Sequence, residues 1–246
     1  MSFVITVFVP EAIVMASDSR QFLTIEGKSP DGQDMKVETV ASDFAYKTFL
    51  VESPEVGVSA FGQSILEGIS VESHLRRFCE ENLGESDSAQ SVATKLVEVM
   101  RRKFAGVDTA FHVGGFTKEG QSSVPHVYYC HVGRNEVVRK NARPDTGEVF
   151  YGASWGGQPD IIARLVNATH VRGEDGKPQP IQSHPIVWNA MNVQDAIDFA
   201  IYAVQTTIDT MRFEARPKNV GGPVDVLVLT PAREFWAQRK KLLGEP

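Results

Sequence analysis

The chain has 246 residues, with 25 Lys and Arg against 31 Asp and Glu and a formal net charge of −6. That length suits one large domain, residues 1–246, with a sizeable core, and the acidic balance argues against nucleic acid, whose binding rests on neutralising phosphates. Cys79 and Cys130 are too few for a disulfide framework or a Cys-based zinc site. No run reaches the ~18 apolar residues of a membrane span, and no charged leader precedes the first apolar run, so the expectation is a cytoplasmic protein without membrane association.

In chain order, Phe3 to Val9 is an apolar run that turns at Pro10-Glu11 and returns through Ala12 to Ser17, as a hairpin does. The near-continuous apolar character of Phe3–Val9 fits a strand buried on both faces. Glu26 to Ser42 is polar and reads as a loop or flexible hairpin. Strands are expected at Tyr46–Val51 and Val56–Ala60. A first helix is indicated by Ile65, Ile69, Leu75, Phe78 and Cys79, and a second by Val92, Leu96, Val99, Met100 and Phe104. Strands follow at Ala110–Phe116, His126–Val132 and, briefly, Glu148–Tyr151. Helices come next at Asp160–Ala168 and Val193–Phe213, then a strand at Val224–Leu229 and a short helix from Ala232 to Leu243. Strands, two helices, strands, two helices, strand is not the alternation of a parallel doubly wound sheet. It suits an α+β fold in which two antiparallel sheets stack face to face with a helix pair on each outer side, a four-layer αββα sandwich.

The chemistry concentrates at the first hairpin. With the turn between Pro10 and Glu11, paired positions sum to 21, so Ser2 faces Ser19, with Asp18 and Arg20 beside it. Removal of Met1 would leave Ser2 with both a hydroxyl and an α-amine. A serine hydroxyl needs an adjacent base. An α-amine titrates near ~7.7–8.0, against ~10.4 for lysine, and can be that base. A nearby lysine cation lowers its pKa further.

The segment Ser2 to Arg20 resembles the start of a proteasome β-type subunit, or of the related bacterial ATP-dependent peptidase. Ala16-Ser17-Asp18-Ser19-Arg20 fits the family's small-small-Asp-Ser-Arg motif, and Tyr46-Lys47-Thr48-Phe49-Leu50-Val51 is the counterpart of its lysine-opened third strand. The resemblance, weaker beyond these landmarks, runs along nearly the whole chain. It implies a threonine-type endopeptidase family of N-terminal-nucleophile (Ntn) hydrolases: Ser2 the nucleophile, Lys47 the tuner of its amine, and Asp18 the orienter of Lys47. In support stand Arg20, a Phe61 or Gly62 backbone N–H as oxyanion donor, and Ser154 in a segment matched to the family's Gly-Ser-Gly loop. It also implies a peptide or amide substrate and homo-oligomeric rings, with any ATPase partner unidentified. The family's aspartate and serine near the end are replaced by Pro217 and Val220.

Two other readings stand beside this one. A non-catalytic proteasome-like assembly protein is favoured by the altered Lys218-Asn219-Val220 segment, and the enzyme by the retained Asp18, Arg20 and Lys47. Gly152-Ala153-Ser154-Trp155-Gly156 also matches G-x-S-x-G, which would make Ser154 the nucleophile of an α/β-hydrolase. Only His170 and His184 follow it as triad partners. His126 and His131 lie at odd spacing on a strand and point to opposite faces, and neither a P-loop nor a dinucleotide fingerprint occurs. No metal or cofactor is expected.

Overall fold

A computed structural model describes residues 2–167, 170–181 and 184–243. Its strands and helices are β1 (Phe3–Val9), β2 (Ala12–Ser17), β3 (Gln21–Lys28), β4 (Asp34–Ser42), β5 (Thr48–Val51), β6 (Val56–Gly62), β7 (Ile65–Leu66), β8 (Ile69–Ser70), α1 (Val71–Asn82), α2 (Ala89–Lys103), β9 (Thr109–Glu119), β10 (Ser122–His131), β11 (Glu136–Arg139), β12 (Gly152–Gly157), α3 (Asp160–Val166), β13 (His170–Arg172), β14 (Pro178–Pro180), α4 (Val193–Phe213), β15 (Asp225–Leu229) and β16 (Glu234–Gln238). Two five-stranded sheets run β12-β1-β2-β15-β16 and β11-β10-β9-β6-β5, with every neighbouring pair antiparallel.

The apolar run at the start becomes a strand buried on both faces because its two faces meet different partners. Phe3, Ile5, Val7 and Val9 pack with Ile161, Ile162 and the α4 stripe of Ala196, Ala200, Ala203 and Val204. Phe8 packs from the opposite face with Ile13, Met15, Leu227 and Val127 of β10, and Val4 packs with Phe61 and Ala110. Both faces are therefore apolar, as strict alternation at 180° per residue requires. The other sheet is covered by α1 and α2, whose Leu75, Phe78, Val92, Leu96 and Met100 pack on Val58, Phe111, Val113 and Cys130. Each such buried side chain contributes roughly 1.5–3 kcal/mol.

Local chemistry sets the helix starts. The Ser70 hydroxyl accepts from Ser73 N–H, and capping boxes at Ser88/Ser91 and Asn192/Asp195 begin α2 and α4. The β1–β2 register is the expected one, with Ile5 opposite Ala16 and Val4 opposite Ser17.

Three expectations are corrected. Ile65 and Ile69 belong to the tiny β7 and β8, and α1 starts at Val71 where Ser70 caps it. Val149 makes only an isolated bridge with Ala142, and the strand itself is Gly152–Gly157. The expected C-terminal helix is instead β16, held in the ladder by β15. The polar stretch takes the hairpin form expected of it, a two-stranded ribbon that starts at Gln21 instead of Glu26, with Ile25, Met35 and Val37 exposed. The end of the expected 160–168 helix, Ala168, lies outside the described residues. No helix among those described is long and apolar enough to cross a membrane.

Candidate active site

Asp18 is the hub of the constellation. It follows β2, is fully buried, and its carboxylate accepts four hydrogen bonds. Oδ1 takes the Phe3 N–H at 2.9 Å and the Lys47 ammonium at 2.6 Å, while Oδ2 takes the Arg20 N–H at 3.1 Å and the Gly221 N–H at 3.0 Å. A buried carboxylate without partners would be costly; this one has a cation and three amides. Burial pushes the Lys47 ammonium below its ordinary value while Asp18 pulls it back up, and the cations of Lys240 and Arg20 push it further down. Thr48, beside Lys47, ties the two sheets through its hydroxyl's 2.9 Å bond to Ser17 and meets Ser59 of its own sheet at 2.9 Å.

Arg20 contributes in a way the sequence did not suggest. Its guanidinium does not reach Asp18; it clasps Asp43 through Nε at 2.6 Å and Nη2 at 2.9 Å, and donates to the Lys218 carbonyl at 2.9 Å. That clasp holds the loop whose Gly221 N–H reaches Asp18. The Asp43 carboxyl lies below the usual carboxylate range because Arg20 hydrogen-bonds it. Val220 is buried in the core beside α4, and Pro217 is exposed. The loop thus serves Asp18 through its backbone, with neither of the expected side chains.

Ser2, Lys47, Phe61 and Gly62 line one pocket, together with Gln21, Ala45, Tyr46, Ser64 and Glu72. Ser2 is itself nearly buried, and its carbonyl accepts from Gln158 N–H at 2.9 Å. That approach requires glycine at Gly157, where φ is 89° and a Cβ would stand 1.7 Å from the Ser2 carbonyl oxygen. Met1 lies outside the described residues.

Strand geometry fixes which backbone N–H faces this pocket. Ala60 N–H donates to the Lys47 carbonyl at 2.7 Å, toward β5, whereas Gln63 N–H donates the other way to the Asp108 carbonyl at 2.7 Å. Peptide directions alternate along a strand, so the Gly62 N–H shares the Ala60 side, that of Lys47, which lines the pocket. Of the two expected donors, Gly62 has that direction and Phe61 does not.

Ser154 sits elsewhere. It is paired with Thr6 in the middle of β12, not at a strand-to-helix turn, which corrects the nucleophile-elbow reading. Its hydroxyl lies 3.2 Å from His112 Nε2, and His112 Nδ1 lies 3.0 Å from the Thr6 hydroxyl. Burial pushes His112 down to about 3, so it is neutral at neutral pH and joins the two sheets through hydroxyl partners. Sequence reasoning missed Asp43 and the Gly221 amide; neither carries a motif, because each acts through a long-range contact.

The architecture defines a mixed α/β protein, with four α-helices among the described residues and several antiparallel sheets. It is similar to the solved structure of the Anbu Gly-1 mutant from Hyphomicrobium sp. strain MC1, with a TM-score of 0.55 at 14% identity, covering 96% of this chain and 88% of that one. At that identity the likeness is one of fold alone. No protein-family model and no curated protein sequence matches the chain.

Proposed function

We propose that the chain is a proteasome-like Ntn hydrolase with the four-layer αββα sandwich, cleaving amide or peptide bonds through Ser2 after removal of Met1. The single observation that carries this reading is the shared pocket: Ser2, Lys47 and the Gly62 turn line it, and the Asp18 carboxylate grips both the Phe3 N–H next to Ser2 and the Lys47 ammonium.

In this reading the Ser2 α-amine takes the hydroxyl proton as Oγ attacks the substrate carbonyl carbon. The tetrahedral oxyanion is stabilised by the Gly62 N–H. The amine then passes the proton to the leaving nitrogen, the C–N bond breaks, and an ester on Ser2 remains. Water, deprotonated by the same amine, hydrolyses that ester and restores the hydroxyl. Lys47 keeps positive charge near the amine and lowers its pKa; Asp18 aims Lys47. Ring-forming self-association belongs to the same proposal, with the outer helix pairs as the faces available for it.

The experiment is acylation by a β-lactone, followed by intact mass. The mass first reports whether Met1 is absent. An adduct equal to the whole lactone, lost in Ser2→Ala and kept in Ser154→Ala, supports the reading. A second reading, a non-catalytic assembly protein, draws on Val220 in the core and Pro217 in solvent. Trimmed wild-type protein that takes no lactone favours it.

A further inference from the structure

The Gly62–Gln63 turn is clamped from β9. Its Gln63 N–H donates to the Asp108 carbonyl at 2.7 Å, and the Thr109 hydroxyl donates to the Gln63 carbonyl at 2.9 Å. Thr109 is buried and stands directly opposite Gly62 in the β6–β9 ladder. Gly62 itself has φ 94°, and a Cβ there would meet the Asp108 carbonyl oxygen at 2.3 Å, so the two backbones touch. The anchoring side is held in turn: Val132 N–H donates to the Thr109 carbonyl at 3.0 Å, and Asp108 Oδ1 lies 3.1 Å from His131 Nε2.

A glycine can rotate through more of φ/ψ space than any other residue, so without external bonds the Gly62 peptide would sample several directions. The two bonds to Asp108 and Thr109 grip the residue after it on both its N–H and its C=O. The Asp108 bond is main chain to main chain and survives any side-chain change. The Thr109 bond belongs to one hydroxyl.

We propose that Thr109 is a positioning residue, whose hydroxyl holds the Gly62–Gln63 turn so that the Gly62 N–H stays aimed into the pocket beside Ser2. The inference rests on the reading of that pocket as an acylation centre. Thr109→Val keeps the shape of the side chain and removes the donor. The turn is then left on the Asp108 bond alone, and the Gly62 peptide that precedes it is held less firmly.

The test is the rate of Ser2 acylation by a β-lactone, measured as a function of lactone concentration and pH. Losing an oxyanion donor outright costs about 10²–10³ in rate; loosening one is expected to slow acylation about tenfold in Thr109→Val. Half-saturation stays unchanged because Thr109 does not line the pocket, and the pH midpoint stays unchanged because the base is untouched. Thr109→Ser restores the rate, and Thr109→Cys, with its weak S–H donor, falls between. If the Val variant does not fold, the order Thr, Ser, then Cys carries the same information. An unchanged rate in Thr109→Val, slowing that serine does not rescue, or a moved pH midpoint overturns the clamp while leaving Ser2 as nucleophile. A wild type that is never acylated on Ser2 overturns both the clamp and the function it serves.

Discussion

Acid should weaken this fold through one buried imidazole. His112 is fully enclosed between the sheets, with Thr6 and Ser154 on its two ring nitrogens and the Phe61 ring edge-on at 5.1 Å. Burial, helped by the Lys140 charge, takes it from the ordinary 6.5 to about 3. Between those values the unfolded chain binds a proton that the folded chain refuses, so stability is fully present above pH 6.5 and falls as the pH drops toward 3. At about 1.4 kcal/mol per pH unit, the loss is about 3 kcal/mol by about pH 4.5 and about 5 kcal/mol over the full window. The assay is urea unfolding from pH 7 downward on wild type and His112→Gln, whose side-chain amide can meet both hydroxyls but does not titrate. The variant is expected to lose less stability on acidification by about 3 kcal/mol at about pH 4.5; other groups titrate in both proteins and cancel. Parallel pH profiles for the two proteins would refute the reasoning.

Asp18→Asn strands the buried Lys47 ammonium and is expected to cost about 3–5 kcal/mol by chemical denaturation. A double-mutant cycle with Lys47→Met should show a coupling of about 2 kcal/mol, and additive losses would contradict the pair. Gly62→Ala must leave φ 94° or collide with the Asp108 carbonyl. A loss of about 1–3 kcal/mol in stability is expected, along with acylation slowed about a hundredfold, read by thermal melting and lactone labelling; a variant as fast as wild type would remove Gly62 from the oxyanion role.

The parts of the site legible in sequence were those fixed by short-range pattern. Phe3–Val9 and Ala12–Ser17 carry strand character in every residue, and a two-residue turn leaves one register, which sets Asp18 beside the start of the chain. Lys47 was legible only through the resemblance to a lysine-opened third strand, since a lysine at the start of an apolar strand is by itself an ordinary edge residue. Capped, striped α2 and α4 were equally plain. The failures lie where a partner imposes the structure. Gly152–Gly157 has little strand propensity of its own and is drawn into the sheet by β1; Glu234–Gln238 is drawn in by β15. Gly-x-Ser-x-Gly reads as an elbow only until the strand around it is known. Asp43 pairs with Arg20 across 23 residues, and the Gly221 amide reaches Asp18 across 203; no local pattern signals either contact.

The central claim is that Ser2 is the acylated residue. Peptide mapping by tandem mass spectrometry after β-lactone treatment tests it most directly. The added mass is expected on the N-terminal peptide, at Ser2, with Met1 gone. An adduct on Ser154, or a Ser2 that stays unmodified in protein lacking Met1, would contradict it.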